Sequence, residues 1–495
     1  MTLRAELDAE PPPRRAWYLT TGPAYLTILV WAPFFDSLWR HDLARAGLWP
    51  LAGTAVLSAV ICFGLFYYPL AMWGYRTGRR RGVVAASTFG TSGSEWLTGV
   101  LLALAQVVWF AVAIDYAVDA TFRGLAAGGF LPSLALTPWQ VGPLVLRGPL
   151  FLATALFWIF ITGMSSLLRL SAVIAALMKV YSPFAAVLLT LCALWLARGA
   201  AGFDPAAALA ALGPERESAG SSMIAMATGF FGVAGLMAVD WGAASARRRD
   251  VVIGGLAGIA LAGAWTALMS LVVVAGAAAR LQGVHLDRPA DPAPAPALSF
   301  RWAILGGLGR GPAAVVLILF GLAALAPACF SSFLFIRNLF ARWPGVRRVD
   351  WTWIGCTAGF LLVATGWPAQ LESVADVMGL VFAPAVGAMA GDWIHQRGRW
   401  AGVRVGINPA GVAAWAAGIL AQPALDVLAA RGLVPFESLL ASPVAGFIVA
   451  AAAYLVFAAL GMEEPSTPVA IAPSGSSEHK VIAGPSADVS PPASR

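Results

Sequence analysis

Few side chains in this sequence could do chemistry, and they stand singly rather than in sets. Lys179 is the sharpest of them. The chain uses arginine almost everywhere and its only other lysine is Lys480, yet Lys179 falls about ten residues into an apolar run, roughly 15 Å deep at helical rise. A lysine held there shifts its pKa down and can carry a proton; the alternative is a side chain that snorkels to the surface. Asp36 follows Pro33. Its carboxylate accepts hydrogen bonds or titrates, which suits an N–H-rich or cationic solute or a coupling proton; the alternative is a rim charge paired with Arg40. Asp240 closes the run MIAMATGFFGVAGLMAVD, laced with Gly229, Gly232 and Gly235. A carboxylate at the end of an apolar span is costly unless it faces protein or a water-filled cavity.

Other chemistries are excluded by what is missing. No paired aspartates, His/Glu metal motif or Ser-Lys dyad has the spacing an intramembrane enzyme needs. His41, His285, His395 and His479 show no metal-ligand spacing, and Cys62, Cys192, Cys329 and Cys356 fall inside apolar runs as small packing residues. The reading is of a protein that is not an enzyme and carries no organic cofactor.

The elements that position these residues are membrane spans. With 59% hydrophobic and 12% charged residues over 495 positions, the chain carries more apolar surface than a soluble domain could hide. Windows of about twenty apolar residues give about twelve spans, near 17–39, 47–75, 95–122, 149–168, 171–197, 222–244, 251–279, 311–338, 351–367, 373–394, 408–429 and 438–461. The fold class is therefore an all-α polytopic membrane protein. Residues 1–16 read as an N-terminal segment, 17–461 as the membrane domain and 462–495, rich in Pro, Ser and Ala, as a disordered tail.

Arginine clusters orient the spans. Arg14 and Arg15, Arg76 with Arg79 to Arg81, Arg247 to Arg249, Arg342 with Arg347 and Arg348, and Arg397 to Arg404 all fall on one side. That side reads as cytoplasmic, with both termini inside and the chain in the cell (inner) membrane. The net charge of +7 reports this topology and not nucleic-acid binding. Spans one and six are both interrupted, by Gly22, Pro23 and Pro33 and by the glycines at 229–235. Five spans separate them, the pattern of a five-plus-five inverted repeat with discontinuous helices 1 and 6.

Several stretches together resemble the nucleobase–cation symporter family, which includes hydantoin, allantoin, cytosine and purine permeases. TGRRRGVVAASTFGTSGS looks like the family's loop and Phe-Gly-x-x-Gly-Ser signature, and AQVVWFAVAID like its third helix. GFFGVAGLMAVD looks like the helix-six motif, APAVGAMAGDWIHQRGRW like the helix-ten hallmark, and INPAGVAAWAAGI like the start of helix eleven. The similarity runs from about Gly22 to Gly418.

The resemblance implies the amino-acid/sodium symporter fold, with twelve helices, and a set of site residues. Trp109 stands at the substrate-stacking tryptophan and Phe231 at the aromatic that closes the other face of a planar ring. Asp36 and Ala113 stand where the family has substrate amides, and Arg337, or Asn338 across a gap, at its helix-eight asparagine. These are departures, so polar recognition has been rebuilt. The family's sodium site implies carbonyls of Ala32, Phe35 and Ala328 and hydroxyls of Ser331 and Ser332; hard oxygen donors replace a small cation's hydration shell. Pro33 leaves carbonyls free one turn earlier, although Ser-Ser pairs also satisfy their own helix backbone. Relatives of this fold also place a helix-five lysine in the ion's position, so Lys179 keeps proton coupling open. Asp240 and Asp392 match family positions and read as pins between helix ends and arginines. The expected function is a sodium-coupled symporter of a planar nitrogen heterocycle. The alternative is a proton-coupled transporter of the same fold for another small polar or cationic metabolite. The expected partners are the solute and the lipid bilayer, with no nucleic acid and no obligate protein partner.

Overall fold

The computed structural model describes residues 11–36, 47–132, 137–141, 144–168, 171–206, 221–281, 299–343, 345–431 and 443–467. Helices account for nearly all of them. Seven are long and apolar enough to cross a membrane, and shorter apolar helices accompany them. In order, the helices are α1 (Thr21–Leu29), α2 (Ala32–Asp36), α3 (Leu48–Thr77), α4 (Arg81–Ala127), α5 (Pro149–Leu167), α6 (Ser171–Ala200), α7 (Ser221–Leu236), α8 (Ala238–Ala243) and α9 (Arg248–Arg280). Then come α10 (Phe300–Gly307), α11 (Arg310–Ala323), α12 (Leu325–Arg342), α13 (Arg348–Thr365), α14 (Leu371–His395), α15 (Pro409–Ala430) and α16 (Pro443–Ala459). With α1/α2, α7/α8 and α11/α12 each taken as one interrupted span, and α10 as a connector, the described residues trace twelve spans. The chain is a multi-pass membrane protein.

The first interruption falls where the sequence puts it. Pro33 cannot donate to the preceding turn and its ring excludes a straight helix, so the backbone opens at Val30 and Trp31 before α2 begins. The opened carbonyls do not stay bare. The Tyr181 hydroxyl of α6 donates to the Val30 carbonyl (3.1 Å), and the Tyr25 hydroxyl of α1 to the Ala234 carbonyl beside the second break (3.0 Å). That second interruption is shallow: Met237 keeps near-helical angles (φ −74°, ψ −12°) between α7 and α8.

Lipid tails are as apolar as leucine, so helices in a bilayer associate by close packing around small residues. Gly74 of α3 lies against the Val239 carbonyl of α8, and Gly242 of α8 against the Ala71 carbonyl of α3; neither site has room for a Cβ. Gly90 has φ +76° and bends α4, separating a buried lead-in helix from the long span that follows.

Two groups of helices pack mainly within themselves. One holds α4, α5, α11, α12 and α13; the other holds α1, α3, α7, α8 and α9, with α14 laid along α7. At the end carrying Arg81, a clasp of short strands joins β1 (Val403–Arg404) to β2 (Ser466–Thr467). Arg404 pairs there with Glu463 (2.9 Å) and donates to the Glu464 carbonyl. The opening residues of the segment read as a disordered tail are therefore docked; residues 468–495 lie outside the described residues.

Candidate functional site

Trp109 lies midway along the 37 residues of α4 between Gly90 and Gly128, about 27 Å from either end at helical rise. Its ring is 7% exposed and meets two others edge-on: Trp31, in the break of the first span, at 5.7 Å, and Phe230 of α7 at 4.9 Å. Phe34 of α2 closes on Phe230 at 4.7 Å. Edge-to-face and tilted contacts of this kind suit π-systems with positive rims and negative faces. Four aromatic rings from three spans thus converge near the middle of α4, beside the opened backbone of the first span.

Phe231, expected opposite Trp109, is fully buried on another side of α7 and stacks on Tyr25 (5.6 Å, 22°). Phe230 faces Trp109 instead. Successive helical residues point about 100° apart, so a shift of one position decides which ring meets the tryptophan. Ala113 lies one turn beyond Trp109 and is buried without a polar group to offer.

Asp36, at 1% exposure, is engaged. Its Oδ1 accepts the Arg301 backbone N–H (2.8 Å), and its Oδ2 accepts Nε (2.8 Å) and lies 2.7 Å from Nη2 of the same arginine. Arg40, the partner read from the sequence, lies outside the described residues. Arg301 stands on the connector α10. It also pairs with Asp119 of α4 and lies over the Tyr116 ring at 4.8 Å. Asp119 in turn accepts from Arg123 (2.8 Å), and Asp115 accepts both Nε (3.0 Å) and Nη2 (2.8 Å) of Arg147. Burial alone would pull the Arg301 guanidinium down, but Asp36 and Asp119 outweigh it and hold the group above the usual arginine range. The cluster ties α2 of one helix group to α4 of the other. Sequence alone could not find Arg301, which is 265 positions from Asp36 and follows a proline-rich stretch of sequence.

A second tie lies at the opposite end. Arg81 pairs with Asp240 of α8, and its Nη2 donates to Oδ1 of Asn338 on α12 (3.1 Å). Asn338 is therefore held beside Asp240, not among the aromatic rings; the Arg337 side chain lies outside the described residues. Asp392 accepts from Ser87 (2.7 Å) and Thr88 (2.9 Å), with Arg404 at 3.7 Å. Both aspartates pin helix ends.

Of the oxygens expected to hold sodium, those of Ala32, Phe35 and Ala328 belong to buried residues. Ser331 and Ser332 are also buried. Ser332 accepts from the Ser166 hydroxyl of α5 (3.1 Å), while Ser331 makes no side-chain hydrogen bond among the described residues. Lys179 is exposed on α6, whereas its neighbours Tyr181 and Ser182 are buried and reach α1 at Val30 and Thr27. Among the described residues no group of three His, Cys, Asp or Glu side chains could hold a metal ion.

The broken first span, the aromatic focus at its break and the ties at both ends are carried on a helical fold that the chain shares with solved transporters. The particular likeness is to Mhp1. The inward-facing conformation of Mhp1 matches with a TM-score of 0.61 at 16% identity, over 91% of this chain and 92% of that one. Mhp1, a nucleobase–cation-symport-1 family transporter, in a closed conformation with bromovinylhydantoin bound, matches with a TM-score of 0.58 at 16% identity, over 91% and 94%. No family model and no curated protein matches the sequence.

Proposed function

We propose that this chain is a secondary active symporter that takes up a neutral, planar nitrogen heterocycle, nucleobase-, hydantoin- or allantoin-like, coupled to sodium. The observation that carries the reading is the aromatic focus of Trp31, Phe34, Trp109 and Phe230 at a helix break near the middle of α4. Flat rings bind between aromatic walls through dispersion and quadrupole contacts that need no charge. The neutrality follows from Asp36: its carboxylate is matched by Arg301, so among the described residues it offers a solute no free charge. Of the alternative, a proton-coupled transporter of another small polar or cationic metabolite, the paired Asp36 speaks against a cationic solute and the exposed Lys179 against proton coupling through that residue.

In this reading the interrupted first and sixth spans open two inverted five-helix repeats, and the two helix groups rock about the aromatic focus. The Arg301 cluster and the Arg81 cluster each bridge the groups, so one parts as each side opens. The Arg81 end, rich in arginine, is cytoplasmic. Sodium would sit among the oxygens of Ala32, Phe35, Ala328, Ser331 and Ser332.

The test is a thermal-shift screen of purines, pyrimidines, hydantoins and cyclic ureas with and without sodium. Uptake of the best binder into proteoliposomes under an imposed ion gradient then follows. Binding without gradient-driven accumulation would overturn the transport reading.

A further inference from the structure

An unmet hydrogen-bond donor stands at the helix break. The Tyr181 and Tyr25 hydroxyls already donate to the carbonyls of Val30 and Ala234. The Trp31 indole Nε1–H does stand unmet. Trp31 is 5% exposed, and its Nε1 has no hydrogen-bond partner among the described residues. Other buried indoles share that condition, but Trp31 alone among them has its ring against Trp109 (5.7 Å) and Phe230 (5.9 Å). A second unmet group lies close along the chain. Gln106 precedes Trp109 by three residues, on the same face of α4. It is 4% exposed, and its amide makes no hydrogen bond among the described residues. Buried polar groups without partners are the exception in proteins and call for an explanation.

We infer that Trp31 and Gln106 are the specificity-determining residues of the solute site. Trp31 donates its indole N–H to one ring carbonyl, and Gln106 donates an amide N–H to the second. The site then selects a cyclic imide or ureide over a heterocycle of the same size whose edge lacks the carbonyl. An indole can only donate, so an unsubstituted ring edge leaves it unmet while an imide edge satisfies both groups. The inference rests on the transport reading above and deepens it by naming the solute's hydrogen-bonding edge.

Two ligand pairs test it: hydantoin against 2-imidazolidinone, and uracil against 2-pyrimidinone. In each the second member lacks one ring carbonyl. Affinities are measured on the purified full chain by calorimetry. The parent is expected to bind the carbonyl-rich member of at least one pair about three- to tenfold more tightly, the worth of one neutral hydrogen bond. Trp31→Phe, which keeps an aromatic ring and removes the N–H, is expected to bring that ratio to within about twofold of unity while the carbonyl-poor member binds as before. A parent-like ratio in Trp31→Phe overturns the inference and leaves the transport reading standing. A parent that binds none of the four overturns the reading itself. Should Trp31→Phe not remain monodisperse, Gln106→Leu carries the same test: its ratio must fall, and an unchanged ratio overturns the assignment.

Discussion

Replacing Arg301 by glutamine isolates the energetics of the buried ion cluster. In the parent, Arg301 is 13% exposed and serves two carboxylates, Asp36 at 1% and Asp119 at 2% side-chain exposure. After the change Asp119 keeps Arg123 at 2.8 Å. Asp36 keeps only the backbone N–H at position 301. Removing one partner of a buried pair costs about 3–5 kcal/mol, because the other charge is left uncompensated. Unfolding entropy scales with length, so a chain of 495 residues loses about 1 °C of melting temperature per kcal/mol, about 3–5 °C in all. Adding Asp36→Asn removes the stranded charge, and about half of the loss should return. The assay is thermal unfolding of the four proteins of this double-mutant cycle, in one detergent and at one scan rate. An Arg301→Gln protein that melts within about 1 °C of the parent, with no recovery on adding Asp36→Asn, would show that water reaches the cluster and that the buried-pair argument is wrong.

Three other outcomes are expected. Trp109→Ala should leave folded, membrane-inserted protein whose affinity for the best heterocycle of the screen falls at least about fivefold, since stacking is worth about 1–3 kcal/mol per ring face; an unchanged affinity by calorimetry refutes the aromatic site. Sodium titrated at constant ionic strength should tighten ligand binding equally in the parent and in Lys179→Ala, because the lysine is exposed; uptake driven by a pH gradient and lost in Lys179→Ala would return the coupling to that residue. Gly242→Val should destabilise the fold by about 3 kcal/mol or more, since the atom it strikes is a backbone carbonyl that cannot rotate away; a parent-like melting curve would refute the close crossing of α3 and α8.

The spans and the first interruption were legible because they rest on local signals: apolar runs of membrane length and a proline that cannot continue a helix. The Asp240 and Asp392 pins were legible as charges that need partners. What could not be read is whatever depends on the angle of one residue against its neighbour or on a distant partner. Phe230 and Phe231 are adjacent in sequence yet face different spans. Asp36 reads either as a solute-binding or proton-bearing group or as a charge paired with Arg40, and only the fold puts Arg301 against it. Asn338 reads as a substrate contact only through the family resemblance, and its company with Arg81 depends on the fold bringing α4 and α12 together.

The clasp at Arg404 bears on how this protein is handled at the bench. Arg404 is enclosed by Glu463, Asp392, Ser87 and the Glu464 carbonyl, and Glu464 also donates its backbone N–H to Asn408. A reporter or affinity tag fused straight after Ala459 would delete Glu463, the carboxylate nearest this arginine, and the Glu464 backbone that meets Asn408 ahead of α15. Fused after Thr467, the same tag leaves the strand pair closed. Fluorescent fusions at these two points should therefore differ in monodispersity although they differ by only eight residues.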